Sequence, residues 1–390
     1  MEEKKRKLSR RRWLEIGIGA LLVLLLISWA AVLCATETDR EASAARKRKF
    51  AVARVVDVQE DDGEAQDWTE GRRIGQQQLE VEILTGEWKG VRLETINYLT
   101  IYTNVDAREG TRIIVRLDVD DDGQPYVVSV PNYDRVPVLA GLALVFAALL
   151  VVIGRKKGLM ALAGLLYTLA CIWFIQVPMI LRGADPVWIT ILIVVLTTGA
   201  SLLLLTGISK KTLCATLGCV GGVAAAGLFA ALFCVISPLN GFNMSEAEEL
   251  VLRSLDRDIH ISGLFVSGIL IASLGAVMDV AMSISSACWE LRELNPALPR
   301  KALFRSGMNI GKDAMGTMAN TLILAFSGSS LNLLLLCQIF DYPLIQIFNT
   351  DAIAIELIRG LAGSIGIILT VPLVALLASQ MMGPQRAAKK

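Results

Sequence analysis

Histidine is nearly missing from this chain of 390 residues: His260 is the only one, and no CxxC occurs. That excludes a zinc centre of the common Cys/His type. Charge is scarce as well. Only 19% of residues are charged, against about a quarter in a soluble globular protein, while 54% are hydrophobic. The net charge of +1 gives no field to draw nucleic acid or an acidic substrate. None of the seven cysteines falls between 36 and 130, so no disulfide-built domain sits in that polar stretch. Nucleotide loops of the Walker type, HExxH and the serine elbow are also missing. An intramembrane aspartyl protease needs two deep carboxylates, and only Asp279 qualifies. The expectation is a protein that is not an enzyme, with no metal, cofactor or nucleic-acid partner.

What the chain has is apolar runs. About 20 apolar residues cross the ~30 Å hydrocarbon layer as a helix. Eight candidate spans run roughly 14–34, 136–153, 158–181, 187–208, 212–236, 261–286, 315–339 and 361–382. Basic residues orient them. Arg10, Arg11 and Arg12 precede the first span, which places the N-terminus in the cytoplasm and residues 36–134 outside. Arg155, Lys156 and Lys157, then Lys210 and Lys211, then Arg292 to Lys312, then Arg386, Lys389 and Lys390 all return inside on one eight-span topology. The first span reads as an uncleaved anchor, because a small-x-small cleavage site is poor near VLCATE and bulky residues precede Cys34. The expected fold class is an α-helical polytopic membrane protein with a small extracytoplasmic all-β barrel-like domain. Its parts are 1–35, a basic terminus and anchor helix; 36–134, the β domain; and 135–390, a seven-helix bundle.

In the β domain FAVARVVDV, QLEVEIL, GTRIIVRLDV and PYVVSV alternate or run apolar, separated by Thr85-Gly86, Lys89-Gly90, Glu109-Gly110 and Asp122-Gly123. About five strands in a small barrel fit. The turn DVDDDG opens like a calcium loop, but its twelfth position is Ser129 and no helix flanks it. A hairpin closed by Asp-Gly accounts for the same residues.

The costly residue is Asp279, inside the sixth span and ~15 Å from the interfacial Trp289. A charge at the bilayer centre costs about 2.5–3.5 kcal/mol on the insertion scale. Gly268, Ala272, Gly275, Asp279, Ser283, Ser286 and Glu290 follow steps of three and four, making one small and polar stripe. Leu270, Leu274 and Val277 lie opposite. The reading is a polar seam packed inward, with the leucine side left for lipid or apolar neighbours. In the seventh span Asp313, Thr317, Asn320 and Leu324 share a face with Gly316 and Ser327, with Asn320 ~12 Å above Lys312. Gly268, Gly275, Gly316 and the GxxxG pair Gly218 and Gly222 are read as helix-packing positions. Two meanings of the polar residues stand side by side. As glue between helices they contribute only about 0.6 kcal/mol per bond. As a transport or proton-relay group, Asp279 would titrate with Asn320, Thr317, Ser283, Ser286, Thr321 and Asp313 along the path.

SEAEELVLRSLDRD, with Ser245 and Glu248 at capping-box spacing, and NTDAIAIELIRG read as amphipathic segments outside, and PRKALFRSG as a short basic interfacial helix.

MDVAMSISSA followed by SGMNIGKDAMGTMANTLILAFSG resembles the signature of the YibE/F-like multi-pass membrane proteins, and ILTGEWKGVRLETINYL is similar to that family's polar domain. The resemblance spans roughly 50–380. Gly275, Met278, Asp279, Ser283, Ser286, Ser306, Gly307, Gly311, Asp313, Gly316, Thr317, Asn320 and Thr321 match, and Lys312 stands where arginine is common. It implies a protein of the bacterial cytoplasmic membrane and names no reaction. Two functions are therefore expected in parallel. One is a secondary transporter or permease-like protein for a small ion or solute. The other is a non-transporting scaffold or sensor whose outer domain binds a partner or envelope component. Besides the bilayer, a membrane subunit or a second copy is an expected partner.

Overall fold

A computed structural model describes residues 48–120, 124–244, 247–253 and 259–382. The expected first span, Cys34, Asp122-Gly123, Ser245 and the last basic cluster lie outside the described residues. The chain divides into two compact units, with the boundary between Leu149 and Leu150.

The first unit is a β half-barrel. Its strands are β1 (Arg48–Asp61), β2 (Glu64–Ala65), β3 (Arg73–Ile83), β4 (Arg92–Leu99), β5 (Arg112–Val119) and β6 (Pro125–Tyr133). Strand β5 shows why the segment is extended: Ile113, Val115, Leu117 and Val119 are buried and their neighbours are not, the period of two of a one-sided sheet. The order is β4-β3-β1-β5-β6, all neighbours antiparallel, with β2 also on β3. Long β1 serves both halves, and its register shifts at Val55/Asp57 and Val58/Glu60 curve it. The end strands β4 and β6 run in the same sense, and among the described residues no ladder joins them. One side chain links them: Thr95 Oγ1 donates to the Val128 carbonyl at 2.7 Å. A five-stranded, partly open barrel is the OB-type arrangement. Gly86 and Gly110 sit at φ +86° and +81°, where an L side chain is strained.

At β5–β6 the hairpin reading holds for the residues in view. Asp118 pairs with Arg116 at 3.1 Å and with Arg48 at 3.8 Å, and Asp120 accepts the Gln124 amide at 2.7 Å. Under the barrel, Arg73 donates to Asp61, to Asp106 at 2.9 Å and to the Gly63 carbonyl. The Arg73 hydrogen bond, with help from Gln77 and the Gly63 amide, holds the Asp61 carboxyl at about 2, below its ordinary 3.8. A native pKa below the unfolded one means the stabilisation is complete above the unfolded value and is lost as pH falls from about 4 through about 2. Asp61→Asn is expected to weaken the outer domain by about 1 kcal/mol at pH 7, a figure reduced for its partial exposure. The gap to the parent narrows as pH falls toward 2 and closes below it, read by urea titration of the outer domain's unfolding. An undiminished gap at pH 2 would assign the loss to something other than ionisation.

The rest of the described chain is helical, and its first helix carries the unit boundary. Helix α1 (Val136–Cys171) is followed by one π-helical turn (Ile172–Gln176), α2 (Val177–Leu181), α3 (Pro186–Thr206), α4 (Lys210–Ile236), α5 (Ala247–Arg253), α6 (Leu264–Leu294), α7 (Arg300–Ser329), α8 (Leu331–Ile339), α9 (Leu344–Asn349) and α10 (Asp351–Met381). Among the described residues, five helical runs are long and apolar enough to cross a membrane, or six if the bent pair α7–α8 counts as one crossing. The first of these, Val136–Leu181, has 46 residues. At 1.5 Å each that is ~69 Å, over twice the hydrocarbon thickness. The run breaks at Arg155 (φ 48°, ψ −127°). There a Cβ on Gly158 would lie 1.9 Å from the Leu150 carbonyl, a contact that eight residues of straight helix, ~12 Å of rise, cannot make. Helix α3 starts where Asp185 accepts the Val187 and Trp188 amides at 2.9 and 3.2 Å and Pro186 opens the first turn.

Lipid supplies no hydrophobic drive between helices, so close packing has to. Glycines provide it between α4 and α10. A Cβ on Gly218 would lie 2.2 Å from Val374 Cγ2, and one on Gly366 would lie 2.6 Å from the Ala226 Cβ. Helix α6 adds Phe265, Ile269, Leu270, Leu274, Val277, Ala281 and Ile284 to the same core.

Three expected boundaries are corrected. The seventh span is not one rod: α7 and α8 meet at 55°. The cause is the run SGSS, where Ser327 and Ser329 hydroxyls donate back to the Ile323 and Phe326 carbonyls at 2.9 and 2.7 Å and weaken the helix. PRKALFRSG is not a separate interfacial helix but the opening turns of α7, with Leu303 fully buried. The segment from Asp351 is likewise no surface helix. It runs unbroken into α10, its charges met by an Arg359–Glu356 pair at 2.8 Å.

Candidate functional site

Helix α6 turns its faces the opposite way from the expected inward seam. Gly268, Ala272, Gly275, Asp279, Ser283 and Glu290 are exposed and Ser286 is half-buried, while Leu270, Leu274 and Val277 pack into the core. Cβ atoms built on Gly268 and Gly275 meet nothing within 4 Å. The physical reason is volume: the branched side fills the gap to α4 and α10, which the small stripe cannot. So these glycines make no close helix contact among the described residues, whereas Gly218 and Gly222 do.

Helix α7 repeats the arrangement. Asp313, Gly316, Thr317, Asn320, Thr321, Leu324 and Ser327 are exposed, and a Cβ on Gly316 also meets open space. Thr317 and Thr321 donate to the Ala314 and Thr317 carbonyls at 2.9 and 2.8 Å. Their hydroxyl protons are used on their own helix, so toward the open side they offer lone pairs. Among the described residues neither Asp279 nor Asn320 has a hydrogen-bond partner, and none joins the two. The glue reading of Asp279 therefore finds no bond among the described residues. A carboxylate and an amide without partners are costly against acyl chains, which favours water or another surface as their cover.

A second polar group joins Thr190 of the fourth span to Gln176 and Ser267, which the sequence reading did not single out. Gln176, 3% exposed, donates from Nε2 to Thr190 Oγ1 at 2.8 Å and to Ser267 Oγ at 3.2 Å, and those two hydroxyls lie 2.5 Å apart. Gln176 Oε1 is buried without a partner. The local cause is Pro178, which has no amide to donate; the Val177 amide instead reaches the Ile172 carbonyl five residues back, giving the π-helical turn. An amide two residues before a proline inside CIWFIQVPM was the available signal. Glu356 Oε2 is similarly buried and unpartnered, beside a small pocket at the α7–α8 bend lined by Phe326, Ser330 and Gly360.

Apolar helices of spanning length mark a membrane protein. The family model for YibE/F-like protein matches residues 142–384, and the chain belongs to that family. The matched range contains both polar faces and stops short of the β half-barrel. No curated protein and no solved structure matches the chain.

Proposed function

We propose that the protein is a secondary transporter of the bacterial cytoplasmic membrane, in which Asp279 takes up and releases a proton or cation. Asn320, Thr317, Thr321, Ser283, Ser286 and Asp313 border the same path. The observation that carries this is the open polar side of α6 together with that of α7. Both carry groups that are costly against lipid, and no described residue covers them. The broken α7–α8 span supports it, since carriers build midplane sites from interrupted helices. In this reading the break at Arg155 separates two crossings, and with the anchor segment the chain crosses eight times. Both termini lie inside and residues 36–134 outside, as the basic clusters require. No covalent chemistry is assigned to it. The test is dissipation of an imposed pH gradient by proteoliposomes, compared between the parent and Asp279→Asn.

A second reading, a scaffold or sensor whose outer domain binds an envelope component, is favoured by one observation: a cleft of ≈ 680 Å³ where β4 and β6 fail to pair. It predicts that deleting residues 50–131 abolishes function while Asp279→Asn does not. The transporter reading predicts the loss with Asp279→Asn.

A further inference from the structure

We infer that the cleft between β4 and β6 is a binding site for a neutral oligosaccharide, an inference that rests on the second reading's premise that the outer domain binds something. The cleft exists because the half-barrel closes through one side chain, Thr95 to Val128, in place of a ladder. Its volume of ≈ 680 Å³ lies in the range of small-ligand sites.

The lining names the class. Of the exposed aromatics on this domain, Tyr98 and Tyr126, 60% and 67% exposed, are the two that line the cleft, so both offer ring surface to a ligand there. A tyrosine face is electron-rich, and the polarised C–H face of a sugar ring packs on it. Gln78 and Ser129 present amide and hydroxyl groups that are unpartnered among the described residues, and Glu94 supplies a carboxylate acceptor. Such groups pair with sugar hydroxyls, which both donate and accept. Among the described residues no lysine or arginine lines the cleft. That argues against a nucleic-acid strand, whose affinity comes from cations meeting phosphates. OB-type barrels bind both oligosaccharides and oligonucleotides, and the charge of this lining chooses between them.

Spacing gives the length. Strands β4 and β6 run in the same sense and touch at Thr95 and Val128. Tyr98 lies three residues beyond that bridge and Tyr126 two residues before it, so the rings are offset along the strands by ~16 Å. One sugar cannot meet both rings; a short chain of hexoses does.

The test uses the full chain in nanodiscs, titrated calorimetrically with cellotetraose, maltotetraose and chitotetraose, and separately with an eight-residue thymidine oligonucleotide. Saturable binding of at least one tetrasaccharide is expected. Tyr98→Ala and Tyr126→Ala should each weaken it about tenfold. Tyr102→Ala, at a residue 96% exposed and outside the cleft, should leave it unchanged. Failure of all three sugars overturns the inference, as does sugar binding indifferent to both tyrosines. If the oligonucleotide binds and the sugars do not, the ligand class is wrong but the outer domain remains a binding module. If neither binds, that premise fails too.

Discussion

Asp279→Asn inserts and folds like the parent, and its proteoliposomes dissipate a pH gradient about 10²-fold more slowly, the scale on which removing a proton-transfer group acts. The structural half follows from the surroundings. Asp279 is exposed and has no hydrogen-bond partner among the described residues, so the amide loses no contact. Its insertion cost also falls, since an ionised carboxylate is among the costliest groups on the insertion scale, about 2.5–3.5 kcal/mol at a helix centre. Yield and thermal midpoint should hold. The functional half follows from chemistry: asparagine keeps shape and polarity but cannot titrate. A variant that is poorly inserted yet transports normally per molecule would make the acid structural.

The second large effect is expected at Gly222, where a Cβ would lie 1.8 Å from Thr370 Oγ1 and 2.9 Å from Val277 Cγ1. Both neighbours sit on well-packed helices, and neither is the loose end of a long side chain. Gly222→Leu therefore has to drive α4 away from α10 and α6. Overpacking of this kind costs about 1–3 kcal/mol or more. In a bundle held by close contact, the separation also forfeits the packing at Gly218 and Gly366. The expected result is a thermal midpoint lower by about 5 °C or more and loss of the monodisperse species in detergent. Gly275→Leu is the matched control. It faces open space, so stability should be unchanged while flux falls, because the leucine enters the polar groove. Equal stability of the two variants would remove the packing argument.

These contrasts mark what was legible in the residues. The strands were, because burial on one face alone writes a period of two, as in Ile113, Val115 and Leu117. The apolar runs were, because length and hydropathy are additive. The ends of α10 and α7 were not. Glu356 and Arg359 look like surface charges until they are seen to pair within the helix, and SGSS reads as ordinary span until its serines bond backward. The direction of the α6 stripe was not legible either. Around a membrane helix both the protein interior and lipid are apolar, so a stripe of small and polar residues marks a special face without saying what it faces. Only the fit of Leu270, Leu274 and Val277 into the core decides it. Gln176 was hidden for a related reason: one amide in an apolar run has no periodic partner, and its two companions come from α3 and α6.

The central claim is that water, not lipid and not a packed helix, meets the polar sides of α6 and α7. Single cysteines at Gly275, Ser283 and Asn320, and at the apolar exposed Leu228 and Val235, report on it directly. Five of the six described native cysteines are buried, which keeps the background low. In native membranes, a membrane-impermeant charged thiol reagent should label Gly275→Cys, Ser283→Cys and Asn320→Cys far faster than Leu228→Cys and Val235→Cys. Polar-face cysteines as unreactive as the lipid-facing pair would contradict the account.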